Sequence, residues 1–366
     1  MTDETIFCID DFERLARGGI QDETFQDYLY GGSGEGECHQ RNIDSLKKIL
    51  LAPRACAGIT KRDLSKKMLG KTLSCPIGFA PTPARGWLYR GAEKCCMELA
   101  CEEGASNCLT IFSASKMEEV VKGIPENEGV KLICTGFLGT EEHQLEVMER
   151  VEKAGLDGIV LNLDRAVPGR LRSEAGGPIK SAIMKKIGLP NLPKDLFQAY
   201  IKNENVDRTV FGDGCDTWEQ VKWWKANSKL PLIIKGIARA SDAQEAINAG
   251  VDAIWISNHG GRQLSDCPAT IDLLKKIAPV VKGTGVELYI DGGFRTGSDI
   301  LKAIALGADV VFLGRPVLSA LACAGDDALR EMLKILKKEL DIAMGLCGIS
   351  SLSQADESLL WYPKKK

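Results

Sequence analysis

Residues 286–315 read VELYIDGGFRTGSDILKAIALGADVVFLGR and alternate between two kinds of pattern. VELYID and DVVFLG are short apolar runs, which is typical of strands buried on both faces of a parallel sheet. Between them, GSDILKAIALGA carries apolar residues at helical spacing and closes on glycine, which is typical of an amphipathic helix. The stretch therefore predicts two parallel strands joined by a helix.

The same alternation recurs along the chain. Six further segments have the composition of buried strands, namely residues 75–81, 106–113, 130–136, 158–164, 230–236 and 253–258. With residues 286–293 and 309–315 they make eight strands, and eight strands that alternate with helices predict an α/β fold, the (β/α)₈ TIM barrel. An open doubly wound sheet is the alternative, but no G-x-G-x-x-G motif follows the first strand.

We expect residues 1–366 to form a single barrel domain with two additions. Residues 1–72 contain helical patterns such as DDFERLARGG and IDSLKKIL, which predict a helical segment ahead of the barrel. Residues 165–229 form an unusually long loop after the fourth strand. A long loop at that face favours a lid or a substrate loop, and simple decoration is the alternative.

Composition excludes several classes of protein. The chain is 44% hydrophobic with a net charge of −3, which is typical of a globular protein and gives no indication of nucleic-acid binding. No apolar run is long enough for a membrane span, and the start lacks a signal-peptide core. The thirteen cysteines show no C-x-x-C spacing, so we expect reduced thiols, no metal site and a cytoplasmic location. The C-terminal PKKK lacks the peroxisomal Ser-Lys-Leu signal.

Polar residues and glycines gather where the predicted strands end. They are Pro81 and Thr82, Asp164, Lys235, Ser257 to His259, Asp291 to Gly293, and Gly314 with Arg315. Barrel enzymes build their active sites at the carboxyl ends of the strands, so these residues should meet on one face. A lone lysine or aspartate at such a place is more often a cap or a surface ion pair. Six such endings together favour an active site.

The last two strand ends carry a phosphate-site pattern. The glycines of DGGFRTG (residues 291–297) allow backbone N–H groups to approach an anion without a Cβ in the way. Arg295 and Arg315 add guanidinium groups that suit phosphate oxygens. A DGG sequence alone would be a tight turn, but followed by GR at the next strand end it predicts a phosphate-bearing cofactor or substrate.

Lys235 and His259 end neighbouring strands, so we expect them to face a common pocket. A lysine there neutralises developing negative charge, and a histidine moves a proton near neutral pH. Arg262 follows closely and suits a carboxylate. His259 alone would be a structural turn residue, but beside these partners the catalytic interpretation is favoured. His39 and His143 lie in segments that look solvated.

Residues 257–263, SNHGGRQ, resemble the signature of the FMN-dependent 2-hydroxy acid oxidases and dehydrogenases. The resemblance covers nearly the whole chain and keeps the order of the shorter motifs. These are DY at 27–28, APT at 80–82, KGI at 235–237, PATIDLL at 268–274, DGGFRTGSD at 291–299 and GRP at 314–316. It implies the same barrel, FMN as cofactor, and oxidation of a 2-hydroxy acid or a close relative, with the flavin reoxidised by oxygen or another acceptor.

The resemblance also implies roles for single residues. His259 would be the base, Asp164 would orient it and stabilise its charge, and Lys235 would stabilise the reduced flavin. Arg262 would bind the substrate carboxylate with help from Tyr28. The implied FMN contacts are Pro81, Thr82, Pro83, Thr110, Asn162, Lys235, Ser257, Asp291, Gly292, Gly293, Arg295, Gly314 and Arg315. We expect a small-molecule substrate and a homo-oligomer, with no nucleic acid or membrane partner.

The chain departs from the family pattern at the substrate end. Cys134 and Gly136 stand where a glutamine and a tyrosine are usual, and Asn162 replaces a threonine. Without a gap, Leu171 occupies the position of a second carboxylate-binding arginine. Arg170 and Arg172 flank it, and a one-residue slip of this loop would place one of them there instead. Residues 83–93, PARGWLYRGAE, replace the usual loop after the first strand. A larger or differently anchored substrate follows from these changes.

Two alternatives stay open at this point. One is a flavoprotein of the same scaffold that catalyses another reaction, such as isomerisation or the oxidation of a non-acid. The other is a non-catalytic FMN-binding protein. The presence of Lys235, Asp164, His259 and Arg262 together argues against the second.

Overall fold

The computed structural model describes residues 5–20, 23–83, 85–167, 169–171, 188–202 and 216–363. In the second of these ranges, the side chains at positions 23–25 and 28 lie outside the description. No helix within the described ranges is long and apolar enough to cross a bilayer.

The segment ahead of the barrel contains three helices, α1 (Ile9–Gly19), α2 (Glu23–Tyr30) and α3 (Glu37–Lys47). Besides these helices, the segment that the sequence predicted as helical contains three short strands, the last of which runs to Leu73. β1 (Leu50–Leu51) pairs with the C-terminal strand, and β2 (Lys66–Met68) and β3 (Lys71–Leu73) form a hairpin. The hairpin forms because Met68 and Leu73 are completely buried with the side chains of the barrel interior.

Eight parallel strands close into a barrel, as the sequence predicted. They are β4 (Ile77–Phe79), β5 (Ser106–Thr110), β6 (Val130–Thr135), β7 (Gly158–Asn162), β8 (Leu232–Ile237), β9 (Ala253–Ile256), β10 (Glu287–Asp291) and β11 (Val310–Leu313). Each strand pairs with the next, and β11 pairs with β4 to complete the circle. All their carboxyl ends therefore lie on one face of the molecule.

Helices pack around the outside of this barrel. In chain order they are α4 (Arg85–Leu88), α5 (Ala92–Glu102), α6 (Met117–Val121), α7 (Glu141–Ala154), α8 (Lys194–Lys202), α9 (Trp218–Asn227), α10 (Ala240–Asn248), α11 (Thr270–Val281), α12 (Gly297–Ala305) and α13 (Arg315–Cys347). The backbone of α13 breaks at Ala324 and Gly325. The long connection after β7 holds α8 and α9, and β12 (Leu360–Trp361) ends the described chain beside β1.

The barrel interior is filled by side chains. The rings of Trp255 and Phe312 stack with their centroids 3.8 Å apart, and Tyr289 lies against both. A Cβ atom added at Gly78 would lie 2.3 Å from the Phe312 ring, so this strand position requires glycine. The interior is thus a packed core, and any ligand site must lie above it at the ends of the strands.

Candidate active site

Two adjoining cavities open at the carboxyl ends of the strands. The first contains about 980 Å³ of empty space and the second about 700 Å³, which together suit a cofactor and a substrate. Pro81, Pro83, Lys235 and His259 line both of them. The sequence-predicted strand ends therefore meet around one composite site.

His259 begins a tight turn directly after β9. Its φ of +55° lies in the left-handed region, where histidine is found more often than most residues. The backbone N–H of His259 donates a 3.0 Å hydrogen bond to Oγ of Ser257, which helps to hold this turn. The side chain is 35% exposed and lines both cavities, so the strained turn presents the imidazole to a ligand.

Asp164 holds one nitrogen of that imidazole. Nδ1 of His259 lies 2.8 Å from Oδ1 of Asp164, and Nδ2 of Asn162 donates to the same oxygen at 2.8 Å. Burial tends to raise the pKa of Asp164, but the charges of His259 and Lys235 outweigh it and bring the pKa to about 2. Burial lowers the pKa of His259 below its usual range, against the opposing effect of Asp164. At neutral pH the pair is thus a carboxylate beside a neutral imidazole.

A glycine allows this carboxylate to approach the neighbouring strand. Gly236 follows Lys235 with φ of +103°, at an irregularity in the pairing of β8 with β9. A Cβ at this position would lie 2.7 Å from Cβ of Asp164. The glycine of the KGI motif is therefore needed to seat Asp164 beside the lysine.

Lys235 is a buried cation among carboxylates. Its Nζ donates to Oγ of Ser257 at 3.0 Å and lies 3.5 Å from Asp291 and 3.9 Å from Asp164. Burial tends to lower the pKa of Lys235, but Asp291 and Asp164 outweigh it, and the pKa is raised. Asp291 also accepts hydrogen bonds from Ser257 and from Nε1 of Trp255. Lys235 therefore stays charged over the whole physiological pH range.

The two glycines after β10 have a packing role that the sequence did not show. Gly292 and Gly293 have φ of +105° and +87°, in the region that favours glycine. A Cβ at Gly293 would lie 2.7 Å from the carbonyl carbon of Asn42, and one at Gly292 would lie 2.7 Å from Oγ1 of Thr270. The turn thus fits closely against α3 and α11 while it lines the first cavity.

Positive charge gathers around the first cavity, whose lining includes Arg262, Arg295 and Arg315. Burial and the two other guanidinium groups lower the pKa of Arg315 to about 9. Arg295 lies 3.3 Å from Glu13 of α1, which balances only part of this charge. The arrangement suits an anion such as a phosphate.

Arg315 keeps donors available for such an anion. Its Nη1 donates to the carbonyl of Gly260 at 2.9 Å, and its Nη2 donates to the carbonyl of Gly31 at 2.6 Å. Its Nε is buried and has no hydrogen-bond partner among the described residues. A buried donor of a charged group without a partner is costly, and a phosphate oxygen would satisfy it.

The remaining predicted residues lie mostly where the sequence placed them. Thr82 and Gly314 line the first cavity, and Thr110 and Asn162 line the second. Oδ1 of Asn162 is buried without a partner among the described residues, so it can accept a hydrogen bond from a ligand. Ser257 acts beneath the cavity by joining Lys235, Asp291 and the His259 turn.

Two predicted substrate contacts have different outcomes. Arg262 lines the first cavity beside His259, and its Nη1 donates to the carbonyl of Gly31 at 3.4 Å. Tyr28 belongs to α2, but its side chain lies outside the described part of the structure. Its role in substrate binding stays a prediction.

The departures at the substrate end also have structural correlates. Cys134 and Gly136 line the second cavity, together with Phe112 and Phe137. Burial raises the pKa of Cys134 to about 12, so its thiol stays protonated and behaves as a small, weakly polar group. Leu171 is buried, and its backbone forms an isolated antiparallel β-bridge with Ser33. Arg172 lies outside the described residues.

Three residues of this region were missed or misjudged from the sequence. His39 was placed in a solvated segment, and this is wrong, because its ring lines the first cavity beside Arg315. Asn42 exchanges two hydrogen bonds with Asn258, at 3.0 and 2.8 Å, and so ties α3 to the turn of His259. Asp216 lines the second cavity. All three come from outside the strands, so no strand-end pattern could reveal them.

His143, in contrast, belongs to the helical surface. Its Nδ1 accepts a hydrogen bond from the N–H of Thr140 at the start of α7, and its Nε2 lies 2.7 Å from Asp195. It is not among the residues that line either cavity, and it serves as a helix cap.

Comparisons with known proteins agree with this geometry. Residues 17–362 match the sequence pattern of a family described as FMN-dependent dehydrogenase. 2-Hydroxyacid oxidase 2 of Bos taurus is 31% identical over 364 residues, which cover 98% of this chain and 99% of that protein. 2-Hydroxyacid oxidase 1 of Mus musculus is 32% identical over 97% of this chain and 96% of its own length.

Solved structures give the same result. A crystal structure of mandelate oxidase with (S)-2-phenylpropionate is 31% identical, with a TM-score of 0.81 over 98% of this chain and 99% of that one. A soluble mutant of the membrane-associated (S)-mandelate dehydrogenase from Pseudomonas putida is 28% identical, with a TM-score of 0.86 over 98% and 100% of the two chains.

Proposed function

This chain belongs to the FMN-dependent dehydrogenase family, and from that premise we propose that it oxidises a 2-hydroxy acid carrying a bulky 2-substituent to the 2-oxo acid. It is an oxidoreductase, and its cofactor is FMN. The observation that carries the proposal is the 2.8 Å contact between Nδ1 of His259 and Asp164, set between a phosphate-type site and an open second cavity.

Residues of both cavities fit FMN. Arg315 has a buried Nε donor without a partner in the described structure, and a phosphate oxygen could accept its hydrogen bond. Asn162 has a buried Oδ1 acceptor without a partner there, which suits an N–H of the flavin ring. When bound, FMN accepts the two electrons that leave the substrate. The chain's own residues must bind the acid, hold it in place and remove its protons.

We assign the base role to His259. Asp164 engages Nδ1, so Nε2 is the nitrogen available to a substrate proton. The pKa of His259 is lowered by burial, so the imidazole is unprotonated at neutral pH and able to accept that proton. Once His259 is protonated, the Asp164 carboxylate stabilises the imidazolium and keeps its orientation.

Lys235 supplies fixed positive charge at the junction of the two cavities. The raised pKa of Lys235 keeps its ammonium group charged, so it would stabilise negative charge on the reduced flavin. Arg262 is the candidate group for the substrate carboxylate, because its guanidinium lines the same cavity as His259. Tyr28 is proposed as its helper.

The second cavity supports a bulky substituent. Gly136 leaves open space where the family has a tyrosine, and Phe112 and Phe137 provide apolar walls. Mandelate oxidase and mandelate dehydrogenase, named for an aromatic 2-hydroxy acid, are among the structural relatives. An aryl or branched 2-hydroxy acid is therefore the proposed substrate class.

Leu171 favours a second candidate on the same scaffold. It is buried at the position where the family carries its second carboxylate-binding arginine. Losing one charge-assisted contact costs about 1.5–3 kcal/mol of binding, which weakens the preference for an acid over an amide or ester. Oxidation of such a 2-hydroxy acid derivative is the second candidate function.

Anaerobic mixing of the yellow holoenzyme with a panel of substrates tests both candidates. Aryl 2-hydroxy acids should bleach the flavin absorbance faster than lactate or glycolate, with the His259→Gln variant as the inactive control. Faster bleaching by the matching amides would establish the second candidate. A flavin that no member of the panel reduces would overturn the proposal of a hydroxy-acid oxidoreductase.

Location, assembly and domain organisation are proposed more broadly. The twelve cysteines in the described part are all free thiols, which supports a reducing compartment such as the cytoplasm. A relative from Arabidopsis thaliana is named a peroxisomal enzyme, so the peroxisome is the alternative. We propose a homo-oligomer of single-domain chains, with Leu50 and Trp361, which pair on adjacent strands and are 42% and 53% exposed, as candidate contact residues. Cell fractionation and light scattering would test these proposals.

A further inference from the structure

His39 lies beside Arg315, the arginine proposed to bind the phosphate of FMN in the first cavity. It is the third residue of α3, and its ring lines that cavity together with Arg295 and Gly314. Its Nδ1 lies 3.3 Å from Nη1 of Arg315. The contact joins the N-terminal segment to the first residue of α13.

The contact fixes the protonation state of the imidazole. A guanidinium nitrogen only donates, so Nδ1 of His39 must accept, and the proton of the neutral ring lies on Nε2. Burial lowers the pKa of His39, and the positive charges of Arg315, Arg295 and Arg17 lower it further, to about 2. His39 therefore remains a hydrogen-bond acceptor for Arg315 at every physiological pH.

The donors of Arg315 can then be counted. A guanidinium has five N–H donors. Nη1 directs its two at the carbonyl of Gly260 and at His39, and Nη2 directs one at the carbonyl of Gly31. The N–H of Nε and one N–H of Nη2 remain, and such a pair on one edge of the guanidinium matches two phosphate oxygens.

We propose that His39 is a positioning residue of the FMN phosphate site, because it holds Arg315 so that this remaining pair of donors faces the phosphate. The role goes beyond the proposed oxidation, since it concerns retention of the cofactor and holds for any substrate. Arg295 has carboxylate partners, since it lies 3.3 Å from Glu13 and 3.8 Å from Asp10. Among the described residues, the hydrogen-bond acceptors of Arg315 are instead the carbonyls of Gly31 and Gly260 and the ring of His39.

Two substitutions separate positioning from simple packing. His39→Leu removes the Nδ1 acceptor and replaces the ring by an apolar side chain that is compatible with a helix. His39→Asn places Oδ1 close to the position of Nδ1 and should preserve the hydrogen bond to Arg315. His143→Leu is the matched control, because His143 caps α7 away from the cofactor.

The measurement is the dissociation constant of FMN and, separately, of riboflavin for the full-length apoprotein, followed by quenching of flavin fluorescence. Riboflavin has the same ring without the phosphate, so the ratio of the two constants isolates the phosphate site. In His39→Leu, FMN should bind about tenfold or more weakly, as expected for a lost hydrogen bond to a charged group, while riboflavin changes less than about twofold. His39→Asn and His143→Leu should resemble the wild type.

Three results would overturn the proposal. FMN and riboflavin could weaken equally in His39→Leu, which would indicate a general effect on α3. FMN binding could be unchanged, or His39→Asn could be as weak as His39→Leu, which would exclude the acceptor role. Circular dichroism monitors folding, and His39→Ala replaces His39→Leu if the leucine variant does not fold.

Discussion

His259 combines an unusual backbone conformation with a neutral, oriented side chain. A left-handed φ costs a residue other than glycine about 1–2 kcal/mol, and the surrounding hydrogen bonds maintain it here. The strain is explained if the imidazole must point at a bound substrate. Two single-residue tests follow from this geometry.

Replacing His259 by glutamine should remove the base and leave the fold intact. The variant should stay yellow, with flavin reduction by substrate slowed about 10²–10⁴-fold, because general-base catalysis contributes that much. Anaerobic stopped-flow absorbance measures the rate, with His143→Gln as the control. Reduction at close to the wild-type rate would make His259 a structural turn residue only.

The pH dependence of reduction depends on Asp164. The base must be neutral, so the rate falls as pH drops through the pKa of His259, which burial places below its usual range. The charge of Asp164 raises that pKa, so Asp164→Asn should move the acid limb to lower pH. The plateau rate should also fall, by about 10²–10⁴-fold, because the imidazolium loses its stabilising partner.

Asp195→Asn is the matched control for this profile, since Asp195 contacts the helix-capping His143. It should leave both the acid limb and the plateau unchanged. An acid limb that moves to higher pH in Asp164→Asn would contradict the assigned electrostatics.

Arg315 should determine how firmly the phosphate is held. Arg315→Ala removes two or more charge-assisted hydrogen bonds, so FMN should bind at least about 100-fold more weakly. Arg330→Ala, on the same helix but paired with Glu102 and Glu103, should retain its flavin. Flavin content after gel filtration is the readout, and an undiminished content in Arg315→Ala would refute the phosphate assignment.

At the scale of single elements, the end of β6 lines the second cavity, which is the proposed substrate cavity. Cys134 is its penultimate residue and Gly136 follows it, so both small residues reach the second cavity from one strand. The apolar walls come from the neighbouring turns, with Phe112 after β5 and Phe137 after β6. Substrate selection should therefore respond to a change at this strand end alone.

Gly136→Tyr should fill the second cavity and shift activity toward small 2-hydroxy acids. Flavin reduction by lactate should become faster, and reduction by aryl acids slower, because the ring would occupy space that a large substituent needs. Circular dichroism and FMN content must match the wild type for the comparison to hold. A folded variant whose preference does not change would show that the open space does not set selectivity.

At the scale of the whole molecule, the proposed FMN site lies where the barrel meets the N-terminal segment. Glu13 of α1 contacts Arg295, Asn42 of α3 pairs with Asn258, and the carbonyl of Gly31 accepts from Arg315. FMN should bind in the cavity between these parts. Its binding energy should therefore stabilise the docking of α1 to α3 on the barrel.

Removal of FMN should lower the melting temperature and loosen the N-terminal helices first. A ligand present at 1,000 times its dissociation constant adds about 4.1 kcal/mol to the free energy of unfolding. Hydrogen exchange should rise in α1 and α3 of the apoprotein. Helix α7, which lies outside the N-terminal segment, serves as the internal reference. Equal exchange in apoprotein and holoenzyme throughout α1 and α3 would show that the cofactor does not hold them.

The sequence by itself determined the barrel and most of the site. Apolar strands that alternate with helices predict a parallel sheet, and eight of them without a G-x-G-x-x-G motif favour the closed barrel over the open doubly wound sheet. In a barrel, the polar residues at the carboxyl ends of the strands lie on a common face. Lys235, His259 and Arg315 could be recognised in this way. Their roles in the reaction and in FMN binding remain for the variants above to test.

Only the tertiary structure decided which distant residues complete the site. His39 and Asn42 come from α3, and Asp216 comes from just before α9, so chain folding rather than local pattern brings them to the cavities. The same applies to the hairpin of β2 and β3. Its strands are too short to be predicted from a local pattern, and it depends on the burial of Met68 and Leu73 with the barrel interior. A local pattern records the secondary structure of its own segment, whereas burial and long-range hydrogen bonds depend on the partner that the fold supplies.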